Sequence, residues 1–242
     1  QDFGDETIFK ILKKKKYRKY YFFKRIIKIL NQIQLIKSTK TKNFKKKEYR
    51  IPKYDMEILV REANLFCDWY AKRELNKKDI KIFIRKFKVI VKKLTSELKL
   101  KNDVFVHRDF HVSNLMLVNN QIGLIDSQDA LIGNKAYDLA SLIDDVRLKT
   151  PKLLKKRIYN FYINSQKKLS KNKFKNDFEI LSILRNLKII GIFTRLAIRD
   201  NKKNYLRLIP YAWELINLRI NENIIFNDLK SLLAQNFNRK IR

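Results

Sequence analysis

A single cysteine, Cys67, stands in this chain. One thiol cannot form an intramolecular disulfide framework or a structural zinc site, and it fits a reducing cytosol. The four glycines and three prolines (Pro52, Pro151 and Pro210) are too few for the tight turns of a β-rich domain, so a mostly helical architecture is expected. No apolar run approaches the ~18 residues of a membrane span. The opening QDFGDETIFK lacks the basic start, apolar middle and small-residue cleavage site of a secretory signal. A soluble, cytoplasmic protein is expected, with no membrane partner. Acidic residues are scarce as well: 24 against 56 basic, a formal charge of +32. The excess is lysine spread along the chain among Ile and Asn, which reads as solvated surface rather than as a specific nucleic-acid site. The chain does not begin with methionine, which suggests a processed or truncated product.

What is present is a core-forming composition: 242 residues, 45% hydrophobic and 12% aromatic, enough for one large domain or two small ones. Residues 8–36 carry apolar and aromatic side chains at spacings of three and four, broken by a polar run, and predict amphipathic helix. STKTKNFKKKEYR reads as an exposed basic loop. Helices are expected over 54–75 and 80–98. The period then changes: VFV at 104–106 is a short strand, and LMLV (115–118) with IGLI (122–125) forms a hairpin across Asn119, Asn120 and Gln121. Further helices are expected over 137–147, 151–168, 176–199 and 202–219, followed by a short basic tail.

The chemistry concentrates in FVHRDFHVSNLMLVNNQIGLIDSQDA, residues 105–130. Phosphoryl transfer needs a carboxylate to orient the attacking hydroxyl and accept its proton, and oxygen ligands to hold magnesium against the phosphates. In HRDFHVSN, Asp109 suits the base, and Asn114, five residues on, suits the metal. Asp126 is returned beside that loop by the hairpin and suits the main magnesium ligand. One carboxylate, one amide and the nucleotide's own phosphates suffice, because magnesium takes hard oxygen ligands and keeps several waters.

VHRDFHVSNLMLVNNQIGLIDSQDALIGNKAYDLASLIDD resembles the catalytic segment of the aminoglycoside phosphotransferase and choline kinase superfamily. Within it, the chain is most similar to the bacterial cell-wall amino-sugar anomeric kinases, which phosphorylate N-acetylmuramate and N-acetylglucosamine in peptidoglycan recycling. QDFGDET, IPKYDMEILVREANLFCDWY and LRNLKIIGIFTRLAIRDNKKNYL agree with this. The resemblance implies an α+β, mostly helical fold: a protein-kinase-like carboxy-terminal lobe with a small β-hairpin at the catalytic loop. It implies ATP and Mg2+ as cofactors and an amino sugar as acceptor. It also implies Asp109 as catalytic base, Asn114 and Asp126 as magnesium ligands, Asp138 steadying the catalytic loop from beneath, and Asp129 close to the metal. Ser127-Gln128 stands where protein kinases have Phe-Gly, which suits a small-molecule kinase without an activation-loop switch. Gln1, Asp2 and Phe3 would belong to the nucleotide hinge. Residues 1–6 would then end an interlobe hinge and 7–242 form the carboxy-terminal lobe, with the catalytic segment at 104–146. The β-lobe that carries the nucleotide-binding lysine precedes such a hinge, so it would be missing here or come from a partner.

Plainer readings stand beside these. His107 and His111, four apart without the intervening glutamate of a metalloprotease, suit packing beneath the loop for His107 and a substrate contact for His111. Glu62, Asp68 and Trp69 could hydrogen-bond and stack on a sugar, or simply pack a helix end. Cys67, in apolar surroundings, reads as an inert thiol. Arg195 and Arg199 could meet a carboxylate or phosphate, and read first as structural salt-bridging residues. The rivals to a kinase are a non-catalytic basic module for nucleic acid or anionic membrane, and an inactive kinase-lobe scaffold.

Overall fold

The computed structural model describes residues 4–14, 19–36, 39–42 and 45–241. The hinge residues Gln1, Asp2 and Phe3 lie outside them. In chain order the elements are α1 (Ile8–Lys14), α2 (Lys19–Ile33), β1 (Lys40–Lys42), β2 (Glu48–Arg50), α3 (Met56–Ala63), a π-helix (Phe66–Ala71), α4 (Lys72–Glu74), α5 (Lys77–Ser96), β3 (Asn102–Val106), β4 (Leu115–Val118), β5 (Gln121–Leu124), β6 (Leu131–Asn134), α6 (Ala136–Ile143), α7 (Lys152–Asn164), α8 (Lys171–Arg199), α9 (Ile209–Ile220) and α10 (Asn227–Asn236). They form two compact units, Gln1–Tyr54 with Leu100–Lys175, and Asp55–Lys99 with Asn176–Arg242.

In the first unit, α2 buries Phe22, Phe23, Ile26, Ile27 and Leu30, the stripe its spacing predicts, and packs on α7. Gln34, just past α2, accepts from the buried Tyr162 hydroxyl at 2.6 Å, so the one polar group of that aromatic is satisfied. All of α6 is buried. Two antiparallel pairs position the site: β3 with β6 (Phe105↔Ile132, Val106↔Leu131) and β4 with β5. The β4–β5 turn has two residues, Asn119 and Asn120, at φ +47° and +60°. Asparagine tolerates that left-handed backbone better than most residues, and two such residues match the twist of a hairpin. Gln121, expected in the turn, pairs with Val118 instead. The segment after the expected hinge joins this hairpin: the Leu117 amide donates to the Glu6 carbonyl at 2.9 Å, and Thr7 bridges to Met116.

Two expectations need correction in or beside this unit. The segment read as a basic loop is a β-ribbon, in which Thr41 faces Tyr49 and Lys40 pairs with Glu48 at 2.9 Å. Both strands are exposed on both faces, so burial imposes no alternation for the sequence to show. β6 was also not anticipated. Its LIGN run is buried throughout and short, and so carries no period-2 signal.

In the second unit, α3 starts at Asp55, whose side chain accepts from the Ile58 amide, and α5 starts at Asn76, which accepts from Lys78 and Asp79. These are the residue types that satisfy orphan N–H groups at a helix start. The core is an aromatic cluster around Phe66, with Tyr70, Phe87, Trp213 and Phe237 at centroid distances of 5.3–5.8 Å in stacked, tilted and edge-on arrangements. Such pairs add about 0.5–1.5 kcal/mol each beyond the area they bury. The helix predicted across 54–75 is interrupted at the π-helix. Gly191 on α8 packs against the start of the interruption, where a Cβ would run into the Leu65 carbonyl and the Phe66 amide. The helix predicted over 202–219 begins as a 3-10 turn, Lys203–Leu208, and becomes α9 only at Ile209, where Pro210 occupies the first turn. The residues read as a basic tail form α10, which buries Leu229, Leu232 and Leu233.

Candidate active site

The loop between β3 and β4 is built on a buried carboxylate. Asp138, in the first turn of α6 and fully shielded from solvent, accepts the His107 amide at 2.7 Å and the Arg108 amide at 3.0 Å. Bonds from backbone N–H to an ionised carboxylate are about twice as strong as neutral ones. They hold Arg108 at φ +72°, a conformation that costs an L-residue roughly 1–2 kcal/mol. The Arg108 guanidinium lies 5.6 Å from the Tyr54 ring centroid and donates to the Asp129 carbonyl at 3.1 Å. One residue thereby ties the catalytic loop to the segment after β5.

Beyond Arg108, Asp109 is half-buried. Its carbonyl accepts from the His111 amide at 3.0 Å and from the Asn114 side-chain amide at 3.1 Å. That bond uses the Asn114 nitrogen, so the side-chain oxygen is the atom left to face a cation. The return strand is stitched to the same loop at Ile125, whose N–H donates to the Asn114 carbonyl at 3.1 Å and whose carbonyl accepts His107 Nε2–H at 3.0 Å. Burial pushes His107 below its ordinary pKa, against the opposing pull of the Ile125 carbonyl and of Asp109 and Asp126. His107 is therefore a neutral imidazole with its proton on Nε2. Asp126 follows directly, exposed and at φ +64°.

The structure thus links Asp109, Asn114, His107 and Asp138 through one hydrogen-bonded network in the first unit, and Asp126 follows Ile125, which belongs to that network. Asp129 is exposed and joins through its backbone. Arg108 and the Ile125 carbonyl were not singled out from sequence. Arg108 stood in the motif as the middle of HRD, whereas no signal marks a backbone carbonyl. Asn114 and Asp126 offer hard oxygens on accessible residues, as a magnesium–nucleotide complex requires. Among the described residues no three His, Cys, Asp or Glu side chains cluster as an all-protein metal cage, and magnesium held largely by phosphates does not need one.

The remaining sequence candidates fall elsewhere. His111 is 3% exposed. Glu62, Asp68 and Trp69 belong to the second unit. Glu62 is buried and paired with Lys188 at 2.9 Å, so its carboxylate is engaged in packing. Asp68 is exposed beside Lys72 at 3.6 Å, and Trp69 is half-buried. Cys67 is buried, and burial raises its thiol pKa to about 12. Arg199 makes a two-pronged pair with Asp200 at 2.7 and 3.0 Å.

A mostly helical fold with a short antiparallel hairpin at an HRD-type loop defines a kinase-like phosphotransferase. Comparison with solved structures agrees. Plasmodium vivax ethanolamine kinase superimposes with a TM-score of 0.58 at 15% identity, covering 94% of this chain and 64% of that one. At the level of sequence, the phosphotransferase enzyme family matches residues 12–164, and the chain belongs to that family. Among curated relatives, it is 34% identical over 166 residues to the N-acetylmuramate/N-acetylglucosamine kinase of Neisseria meningitidis, covering 66% of this chain and 50% of the relative. It is 32% identical over 190 residues to the enzyme of the same name from Pseudomonas aeruginosa, covering 76% and 56%. The chain spans about half the length of the curated relatives it matches. No helix among the described residues is long and apolar enough to cross a membrane.

Proposed function

We propose that this chain is the carboxy-terminal catalytic lobe, 7–242 after a hinge ending at residue 6, of an ATP-dependent kinase acting on the anomeric hydroxyl of N-acetylmuramate or N-acetylglucosamine. The observation that carries the reading is the stitched loop, in which one buried carboxylate and one neutral histidine hold the segment of Asp109 and Asn114 beside Ile125, the neighbour of Asp126, while those three stay accessible. Asp109 takes the proton of the attacking hydroxyl. An anomeric hydroxyl is more acidic than an ordinary alcohol, so a carboxylate base is adequate. The Asn114 side-chain oxygen and the Asp126 carboxylate would hold magnesium, which neutralises charge on the transferring phosphoryl group. The protein's own contribution is position, since the network above fixes the loop before substrate arrives, and orientation of this kind supplies much of the acceleration in phosphoryl transfer. The curated relatives support the sugar assignment by name, and an amino-terminal lobe would complete the nucleotide clamp.

Phosphorus NMR of each sugar with magnesium ATP tests this, using the chain alone, the chain supplied with the amino-terminal half of the Neisseria relative, and an Asp109→Ala version of each. An anomeric phosphate signal that disappears with Asp109→Ala is the expected result. No signal with either sugar in any combination would overturn the sugar-kinase reading.

A further inference from the structure

The second unit contains a cavity of about 460 Å³ between the α3/π-helix segment and α5. Along one side run Met56, Val60, Asn64 and Cys67, at the spacing of three and four that puts residues on one helical face. Lys88 and Lys92, one turn apart on α5, line it as well, together with Arg61. All three cations are exposed, and none has an ion-pair partner among the described residues. Of the two acids in the lining, Asp68 is offset by Lys72 at 3.6 Å, which leaves Glu57 against three positive charges. The cavity therefore presents an anion-attracting field beside an apolar strip.

A second, independent feature marks the same place. The π-helix carries Cys67 and Asp68 into the lining, and π-turns are rare and frequently found at functional sites. Beside it, Gly191 lets α8 lie with its backbone against Leu65 and Phe66, where any side chain would collide. The turn sets Cys67 and Asp68 in the same lining as the three cations.

We propose that this cavity binds a small oxyanion-bearing metabolite of about hexose size, a sugar phosphate or a sugar carboxylate. The volume falls in the range of about 300–1,000 Å³ typical of small-molecule sites. Lys88, Lys92 and Arg61 supply donors for the oxyanion. Asn64 and Asp68 are positioned for hydroxyls, and Met56 with Val60 offers the apolar surface against which a sugar face rests. The site does not depend on the phosphoryl-transfer reading, since it needs neither Asp109 nor nucleotide.

The test is isothermal titration calorimetry of the whole chain, without nucleotide, against glucose 1-phosphate, gluconate and inorganic phosphate. Salt is held at about 150 mM to screen diffuse attraction to a basic surface. Saturable one-site binding of glucose 1-phosphate or gluconate is expected, and the arm that binds identifies the oxyanion. Lys88→Glu/Lys92→Glu should weaken it about tenfold or more, as expected for reversing two charges at an anion site. The exposed pair Lys167→Glu/Lys168→Glu, in the first unit, should leave it unchanged, as should Asp109→Ala. Absence of saturable binding, equal weakening by the two lysine pairs, or phosphate binding as tightly as both sugar ligands would overturn the proposal.

Discussion

Replacing Asp138 by asparagine removes one acceptor from a site that uses two. The buried carboxylate takes the amides of His107 and Arg108 at 2.7 and 3.0 Å. An isosteric amide can take one of them and turns an NH2 group toward the other. The loss is one charge-assisted bond, about 1.5–3 kcal/mol, together with the exposure of a buried N–H to a like donor, in sum roughly 2–4 kcal/mol. The strain at Arg108 adds to the tendency to let go, because its left-handed backbone is held by those bonds. Amide exchange at His107 and Arg108 reads this locally. Protection should fall by roughly 30- to 1,000-fold, since each 1.4 kcal/mol is a factor of ten. Exchange in the second unit should be unchanged. Asp138→Ala, which removes both acceptors, should exceed the asparagine change. A loss of protection below about threefold with asparagine would refute the claim that Asp138 anchors the catalytic loop, because less than about 0.7 kcal/mol cannot represent a lost bond to a buried carboxylate.

Three further outcomes follow from buried groups. Cys67, with its thiol raised to about 12, should react with a disulfide reagent at pH 8 about 10³-fold more slowly than an unshifted thiol. Its rate should rise about tenfold per pH unit beyond pH 9 in the folded protein, because only the thiolate attacks; a plateau near pH 9 would contradict the shift. Gly191→Ala should destabilise the second unit by about 1–3 kcal/mol or more in urea titration, as overpacking against rigid backbone does; a neutral result would mean that the Leu65 contact gives way freely. Lys155, whose ammonium donates to Asp144 at 2.9 Å and to the Ile143 carbonyl in a shielded setting, should cost about 3–5 kcal/mol on mutation to methionine, with much of that recovered by adding Asp144→Leu. A double-variant loss equal to the sum of the two single losses would show that the pair is not coupled.

The catalytic loop was legible because its chemistry is local in sequence. HRDFHVSN, the hairpin and AYDLAS all lie between residues 107 and 141, and each has a residue type that the proposed chemistry or the loop needs: a carboxylate for the proton, an amide for the cation, a buried acid for two amides. Helices α2 and α5 were legible for the same kind of reason, since Phe22, Phe23, Ile26, Ile27 and Leu30, or Phe83, Phe87, Val91 and Leu94, repeat on one face. What escaped depends on partners far along the chain. The π-helix begins where Gly191 approaches Leu65, over 120 positions away. The ribbon at 40–50 buries nothing, so no face of it had to be apolar. The partner of Glu62, Lys188, lies over 120 positions away and was not legible either. Pattern reports a residue's own needs, and it is silent about contacts that two distant segments settle between themselves.

The same distinction explains how the loop is built. On the proposed reading Asp109 and Asn114 stay open to substrate and cation, so they can contribute little burial to hold themselves in place. Stability is supplied by shielded neighbours: Asp138 and His107, both at 0% exposure, and the Ile125 backbone, bonded on both sides. The two left-handed residues, Arg108 and Asp126, flank this anchor and aim the exposed groups. Strain of roughly 1–2 kcal/mol at each is sustainable only where the surrounding bonds exceed it, as the two to Asp138 do at Arg108. Asp126 has only its neighbour Ile125 so held. It should therefore be the more mobile of the two, and a bound magnesium–nucleotide complex should raise amide protection at 126–128 far more than at 107–109; equal gains at both would show that the loop is not organised in advance.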